Sequence, residues 1–188
     1  MEFYPASLPV PAETRTERLR LRPLRASDVE LDYDAVMENP AALRRWSQST
    51  WPADDFTVAE NLEDLERHER EHLAREAFTF TVLDSNGTRC LGCVYIQPVG
   101  PEAAELCGAA VQPTNVGFWV RASEWESDLD HHLLATLRAW FESMWAFDRV
   151  IYCVSLEEER QAELMREAGL ELRGTVEKSE GRRCRAFG

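Results

Sequence analysis

The sequence contains no apolar run approaching the ~20 residues that a membrane-spanning helix needs, so no membrane partner is expected. No basic-then-apolar leader opens it, so secretion is not expected either. Positive charge is scarce: 21 Lys and Arg stand against 34 Asp and Glu, a formal charge of −13. A field of that sign repels nucleic acid and anionic lipid, and neither is expected as a partner. The five cysteines are an odd count that fits reduced thiols in a cytoplasmic protein better than a disulfide framework. What the chain does have is apolar mass, 44% of 188 residues, enough for one core and one domain.

The strongest pattern runs from Asn115 to Trp145. Val116, Phe118 and Val120 alternate with Gly117 and Trp119, which is strand periodicity. Leu129, Leu133, Leu137, Trp140 and Met144 then recur at helical spacing, with Leu134, Phe141 and Trp145 widening the stripe. A strand that enters a helix through a short turn often binds phosphate, because the first helical turn offers unpaired N–H groups and the positive end of the helix dipole. Here the turn carries Glu126, Asp128 and Asp130. At an effective dielectric of ~20 and a separation of ~6 Å, each carboxylate–phosphate pair repels by about 3 kcal/mol. Ser127 or Asp128 is expected to cap the helix, so the phosphate site reads as filled from within.

Residues 1–16, rich in proline, read as an extended arm lying across the surface or mobile, and 17–188 as a single domain. Leu19, Leu21 and Pro23 mark an edge strand, and Ser27 with Glu30 a capping box ahead of a helix faced by Val29, Tyr33, Val36 and Met37. Trp46 and Trp51 fall in a polar loop over 43–52, as pinning aromatics or as the wall of an acceptor site. Thr57 to Glu76 is a charged helix with Glu63–Arg67, Glu66–Arg70 and Glu71–Arg75 at ion-pair spacing. It spells H-E-x-x-H from His68 to His72, but zinc needs a third ligand and a dry shell, so a solvated charged face and no metal are expected. Phe78 to Asp84 and Arg89 to Val99 form a hairpin through Ser85-Asn86-Gly87, with Cys90 and Cys93 expected on opposite faces. Residues 100–114 read as a loop and Arg149 to Ser155 as a further strand. Leu156 to Ala168 is a helix stopped by Gly169, and a closing hairpin turns at Ser179-Glu180-Gly181.

The opening TERLRLRPLRASDVE, the hairpin FTFTVLDSNGTRCLGCVYIQPV, the strand NVGFWV and Gly169 together resemble the GNAT superfamily of N-acetyltransferases, in its ribosomal-protein acetyltransferase branch. The resemblance covers roughly Thr16 to Phe187. It implies an α/β (α+β) fold: a mixed, mostly antiparallel sheet of six or seven strands, helices on both faces, and a splay between the fourth and fifth strands. It implies acetyl-CoA as co-substrate, pantetheine along Phe118, Trp119 and Val120, and the phosphate turn at Trp125, Ser127 and Leu129. The family's basic and small turn positions are occupied by Trp125, Asp128 and Asp130, and its acidic Tyr by Met165, which leaves Tyr152 and Ser155 as nearest catalytic candidates. The acceptor implied is an amine on a small molecule or a peptide N-terminus. The alternative is a catalytically inactive binding or regulatory protein on the same fold, acting as a homodimer.

Overall fold

The structure is a computed structural model and describes residues 3–108, 110, 113–177 and 181–188. Its centre is an eight-stranded sheet in the order β1-β2-β3-β4-β5-β6-β8-β7. The strands are β1 (Thr14–Arg15), β2 (Leu19–Pro23), β3 (Phe78–Asp84), β4 (Cys90–Pro98), β5 (Pro113–Val120), β6 (Arg149–Ser155), β7 (Leu172–Glu177) and β8 (Arg183–Phe187). Every neighbouring pair is antiparallel except β5–β6, which is parallel. The eighth strand is the two-residue β1, which lies inside the expected arm and moves β2 off the edge.

The helices are α1 (Val29–Val36), α2 (Pro40–Ser47), α3 (Val58–Ala74), α4 (Pro101–Cys107), α5 (Leu129–Met144) and α6 (Glu159–Glu167). One face of the sheet carries α5 and α6. Phe80, Phe118 and Val154 meet Leu133, Leu137, Trp140 and Met165 there. The other face carries α1, α2 and α3, packed on Leu83, Cys93 and Trp119. In α5 the stripe is completed by Leu134 and Phe141, while Met144 turns out to 60% exposure and Trp145, just past the helix, folds back into the core. The arm is tied down. Tyr4 is 1% exposed, edge-on to Trp145 at 5.3 Å, and its hydroxyl accepts from the Ala146 N–H at 3.3 Å.

Several local readings change. Asp28, not a Ser27–Glu30 box, starts the first helical segment: its carboxylate accepts from the Arg25 N–H at 3.0 Å and is clamped by both Arg22 nitrogens at 2.7 Å. Asn39-Pro40 ends one helix and begins the next, since the Asn39 side chain caps the Ala42 N–H and proline suits a first helical position. Trp46 therefore sits on α2 and not in a loop. Residues 101–107 form α4 where a loop was expected. On α3, Arg67 pairs with Asp64 and Glu71, and Arg75 donates to the carbonyls of Pro5 and Leu8 instead of pairing with Glu71.

Cys90 and Cys93 lie in one cluster, not on opposite faces. Register slips between Val82↔Gly92 and Leu83↔Cys90, so Leu91 is an extra residue in β4 and restores both thiols to the same side. Gly92 permits this, because a Cβ there would stand 2.0 Å from the Trp119 carbonyl oxygen. Of the expected closing turn, Ser179 and Glu180 lie outside the described residues; β7 and β8 themselves pair as an antiparallel hairpin.

Candidate active site

β5 and β6 pair only from Pro113↔Arg149 to Val116↔Tyr152. Beyond Val116 they part, because β6 continues along β8 while β5 stays with β4. The gap leaves the edge of Gly117 to Val120 without a β6 partner between the two helical layers. Trp46 of α2 lies across it: a Cβ on Gly117 would be 3.5 Å from its ring, so this glycine lets the indole rest on the strand. Trp46 lines the cavities on both sides of itself.

On one side is a cavity of about 290 Å³ between α1, α3 and the sheet, with Trp51, Tyr95, Asn115 and Cys153 on its walls. Its most buried polar groups are Asp32 of α1 and Asn61 of α3, at 4% and 1% exposure. Asn61 Nδ2 donates to the Asp32 carboxylate at 3.1 Å. Burial pushes the Asp32 carboxyl up to about 6, only partly opposed by that hydrogen bond, with Asp28 and Asp64 adding like charge. Burial also raises the neighbouring Cys93 thiol and Tyr95 hydroxyl well above their ordinary values, so both are neutral. The Trp119 indole N–H donates to the Tyr95 hydroxyl at 3.3 Å, linking this cavity to the splayed strand.

The other side is nearly closed, with a cavity of about 60 Å³. Phe118, Trp119, Val120 and Trp125 line it together. Ser127 and Leu129 do not: the Ser127 hydroxyl turns back to the Glu124 carbonyl at 2.8 Å, and Leu129 is buried in the α5 core. Gln161 of α6 donates to the Phe118 carbonyl at 2.7 Å, engaging the open strand edge. Asp130, in the first turn of α5, is 5% exposed and accepts from the His131 N–H at 3.0 Å and from Arg160 at 2.5 Å. Arg160 also donates to the Trp125 carbonyl at 3.2 Å and lies 5.5 Å over its ring. Arg45 to Glu158, at 3.1 Å, bridges α2 to α6 at the same mouth.

The acidic turn thus divides. Asp130 is internal, whereas Glu126 and Asp128 are exposed. The turn itself is a 3-10 segment over Ala122–Ser127, and Asp128 occupies the helix N-cap position in a left-handed conformation without a side-chain capping bond. Tyr152 and Ser155 line neither cavity. Strand alternation sends Cys153 into the larger one and Tyr152 to the α5 face, beside Arg138, Phe141 and Leu170. The buried Ser155 hydroxyl accepts from the Glu157 N–H at 3.2 Å.

His68 and His72 point at the sheet rather than into solvent. His68 meets Thr79 Oγ1 at 3.1 Å and Tyr95 edge-on, and His72 packs on Phe78 and Phe80. Burial lowers both imidazoles. No cluster of three metal-ligating side chains occurs among the described residues.

The fold has counterparts among known proteins. The family described as "Acetyltransferase (GNAT) domain" matches residues 18–171. The chain belongs to the GNAT acetyltransferases. No curated protein matches it in sequence. Among solved structures it is similar to the RimL ribosomal L7/L12 alpha-N-protein acetyltransferase in complex with coenzyme A, at TM-score 0.72 and 15% identity over 92% of this chain and 93% of that one. It is similar also to a ribosomal-protein-S5-alanine acetyltransferase from Vibrio fischeri, at 0.70 and 16% over 94% and 95%. A third likeness is the microcin C7 self-immunity acetyltransferase MccE in complex with acetyl-CoA and AMP, at 0.71 and 13% over 92% of each chain. The fold is therefore the GNAT fold expected, with one small strand more. No described helix is long and apolar enough to cross a membrane.

Against the coenzyme of this family, the parted edge of β5 is a suitable shape, and the turn that follows it is acidic. A buried carboxylate occupies the first turn of α5, and Arg160 is engaged with it. Arg160 and the β5 edge are the residues present that such a group would meet. Asp32, Asn61, Arg160 and Gln161 escaped the sequence reading. The first two had a signal: Asp32 sits three after Val29 and four before Val36, and Asn61 three after Val58 and four before Leu65, polar residues on apolar stripes.

Proposed function

We propose that this protein is a cytoplasmic, acetyl-CoA-dependent N-acetyltransferase acting on an amine, carried by a small molecule or a peptide N-terminus, with a degenerate phosphate turn. The observation that carries the reading is the parting of β5 from β6 beyond Val116, with Trp46 between a roomy polar cavity and a narrow one along the strand edge. The edge of Phe118, Trp119 and Val120 would hold the pantetheine arm, and Arg160 the phosphates. Bound acetyl-CoA supplies an acyl thioester, and the chain's own part is to seat an amine on the opposite side of Trp46 and keep water from it. The filled state of the narrow cavity, with Gln161 on the Phe118 carbonyl and Asp130 on Arg160, favours the second reading of a non-catalytic binding protein.

Calorimetric titration with acetyl-CoA tests the two. Weak binding by the wild type that tightens at least tenfold, about 1.4 kcal/mol, in Asp130→Ala supports the transferase with Asp130 as internal competitor. Absence of binding in both proteins rejects the transferase and leaves the binding module.

A further inference from the structure

The larger cavity is lined by side-chain oxygens short of donors. Asp32 receives the Asn61 amide at 3.1 Å and only a long thiol contact from Cys93 at 3.9 Å. The orientation of Asn61 is fixed by its neighbours: its nitrogen lies between the Asp32 carboxylate and the Val29 carbonyl at 3.3 Å, both acceptors, so the remaining atom is the oxygen. That oxygen is buried and receives no hydrogen bond, and Asn115 Oδ1, on the sheet side of the same cavity, is in the same state. Leaving buried amide oxygens unmatched costs stability unless a ligand brings the donors.

The surrounding charges do not meet that need. Asp64, Arg67 and His68 face the cavity from α3, Tyr95 from β4 and Arg182 from the approach to β8, with Asp28, Cys90 and Cys93 behind. Arg67 is bound to Asp64 at 2.9 Å and to Glu71 at 3.3 Å. Burial keeps His68 neutral, and Arg182 donates to the Ser47 carbonyl at 3.5 Å. Arg121, behind Trp119, is paired with Asp34 and Glu38.

We infer that Asp32 and Asn61 form the seat of a primary ammonium group and that Asp32 is the base that takes its proton, an assignment that rests on the transferase reading only for the amine's subsequent fate. An ammonium brings N–H donors to both the Asp32 carboxylate and the unmatched Asn61 oxygen beside it. In the step, one N–H bond of R–NH₃⁺ breaks and its electron pair remains on nitrogen as the nucleophilic lone pair. The proton passes to the Asp32 carboxylate, giving R–NH₂ and a neutral acid. Low dielectric favours the two neutral species over the buried ion pair, so the cavity that binds the cation also deprotonates it. The Asp32 carboxyl, at about 6, is placed to accept and return a proton near neutrality. Trp46, Trp51 and Tyr95 offer ring surface to the apolar part of the amine.

The test uses benzylamine, with no thioester present, followed by calorimetry. Its dissociation constant should fall about tenfold from pH 5 to pH 7 as Asp32 ionises, and Asp32→Asn should bind it more weakly with that dependence gone. Should the variant not fold, the ¹³C resonance of the Asp32 carboxyl in wild-type protein decides the same question: its titration midpoint must rise when benzylamine is added, because the proton taken from the amine stays on the carboxyl. Benzyl alcohol binding as tightly as benzylamine, an unmoved midpoint, or an unchanged pH dependence in Asp32→Asn overturns the site. Trialanine and N-acetyltrialanine form the second arm. Preference for the free peptide over both benzylamine and its acetylated form assigns the ammonium to a peptide N-terminus, and preference for benzylamine assigns it to a small amine. Benzylamine binding as described, with no acetyl-CoA binding at all, rejects the transferase while the ammonium seat stands.

Discussion

The two cavities that meet at Trp46 are built on opposite principles. The one between α1 and α3 is roomy and leaves polar atoms unmatched: a carboxylate short of donors and two buried amide oxygens with none. The one between β5 and α6 is small, and its polar atoms answer each other, Gln161 to Phe118 and Arg160 to both Asp130 and Trp125. Unmet hydrogen bonds are a cost that folding does not recover, whereas met ones rigidify. On the proposed reading, half of the cleft is prepared for a guest and the other half holds a substitute for one. A ligand entering the first gains hydrogen bonds outright; a ligand entering the second must displace bonds already made.

The severest way to break this contrast is to remove the carboxylate from the prepared half. Asp32→Asn preserves shape and the Asn61 contact but cannot accept a proton, so acetylation of an amine by the variant should fall about 100- to 10,000-fold, the usual worth of a positioned general base. Single-turnover rates at saturating acetyl-CoA measure it. A fall of less than about tenfold would return the proton transfer to water.

The same substitution should make the folded protein more stable at high pH. In the native state the Asp32 carboxyl is held at about 6, above its ordinary 3.8, by burial. The folded chain therefore keeps a proton that the unfolded chain has released. Stability from this group is full below about pH 4, declines as pH rises towards 6, and above 6 carries the whole penalty, about 3 kcal/mol for a shift of roughly two units. The amide of the variant has nothing to ionise. Urea unfolding should show Asp32→Asn gaining about 2–3 kcal/mol on the wild type between pH 4 and pH 8. A constant difference across that range would mean that Asp32 is not buried in the way its 4% exposure indicates.

These two expectations rest on residues that the sequence displayed but did not flag as chemical. The framework was legible because it is periodic: β5 and α5 repeat at 2 and about 3.6 residues, and the β3–β4 hairpin is marked by Ser85-Asn86-Gly87. The bulge at Leu91 was not, because it depends on how closely Gly92 approaches Trp119, a strand away. Nor was the anchoring of the arm, which depends on Tyr4 reaching Trp145 across the fold. Carboxylates in the turn after β5 were visible as a group, but their separate fates were set by Arg160, 30 residues beyond Asp130. The strand period puts Tyr152 and Cys153 on opposite faces, and which of them meets a cavity was decided by where α1 and α3 pack.

A smaller effect sharpens the filled half. Gln161→Ala frees the Phe118 carbonyl without touching the charges, so acetyl-CoA should bind a fewfold tighter, less than the gain from Asp130→Ala, because one neutral hydrogen bond is worth about 1 kcal/mol. Equal gains from the two variants would show that the strand edge, not the phosphate end, limits entry.

The smallest change should come from the acids that look most obstructive in the sequence. Glu126 and Asp128 are exposed, so their charges sit in water and are screened within about 8 Å at physiological salt. Among the described residues, neither has a resident cation of the kind that Asp130 has in Arg160. Replacing both by Gly should therefore move acetyl-CoA affinity by less than about threefold, roughly 0.6 kcal/mol. Asp128→Gly alone should raise stability by about 0.5 kcal/mol, since Asp128 stands at φ +54, where glycine pays no side-chain penalty and no capping bond would be lost. The comparison to make is between this exposed pair and Asp130→Ala in one buffer at two salt concentrations. If the pair matches the buried residue and its effect fades with salt, the turn repels phosphate through its whole field, and the view of Asp130 as a seated substitute fails. If Asp130→Ala alone tightens binding, the obstruction is the one buried carboxylate and its grip on Arg160.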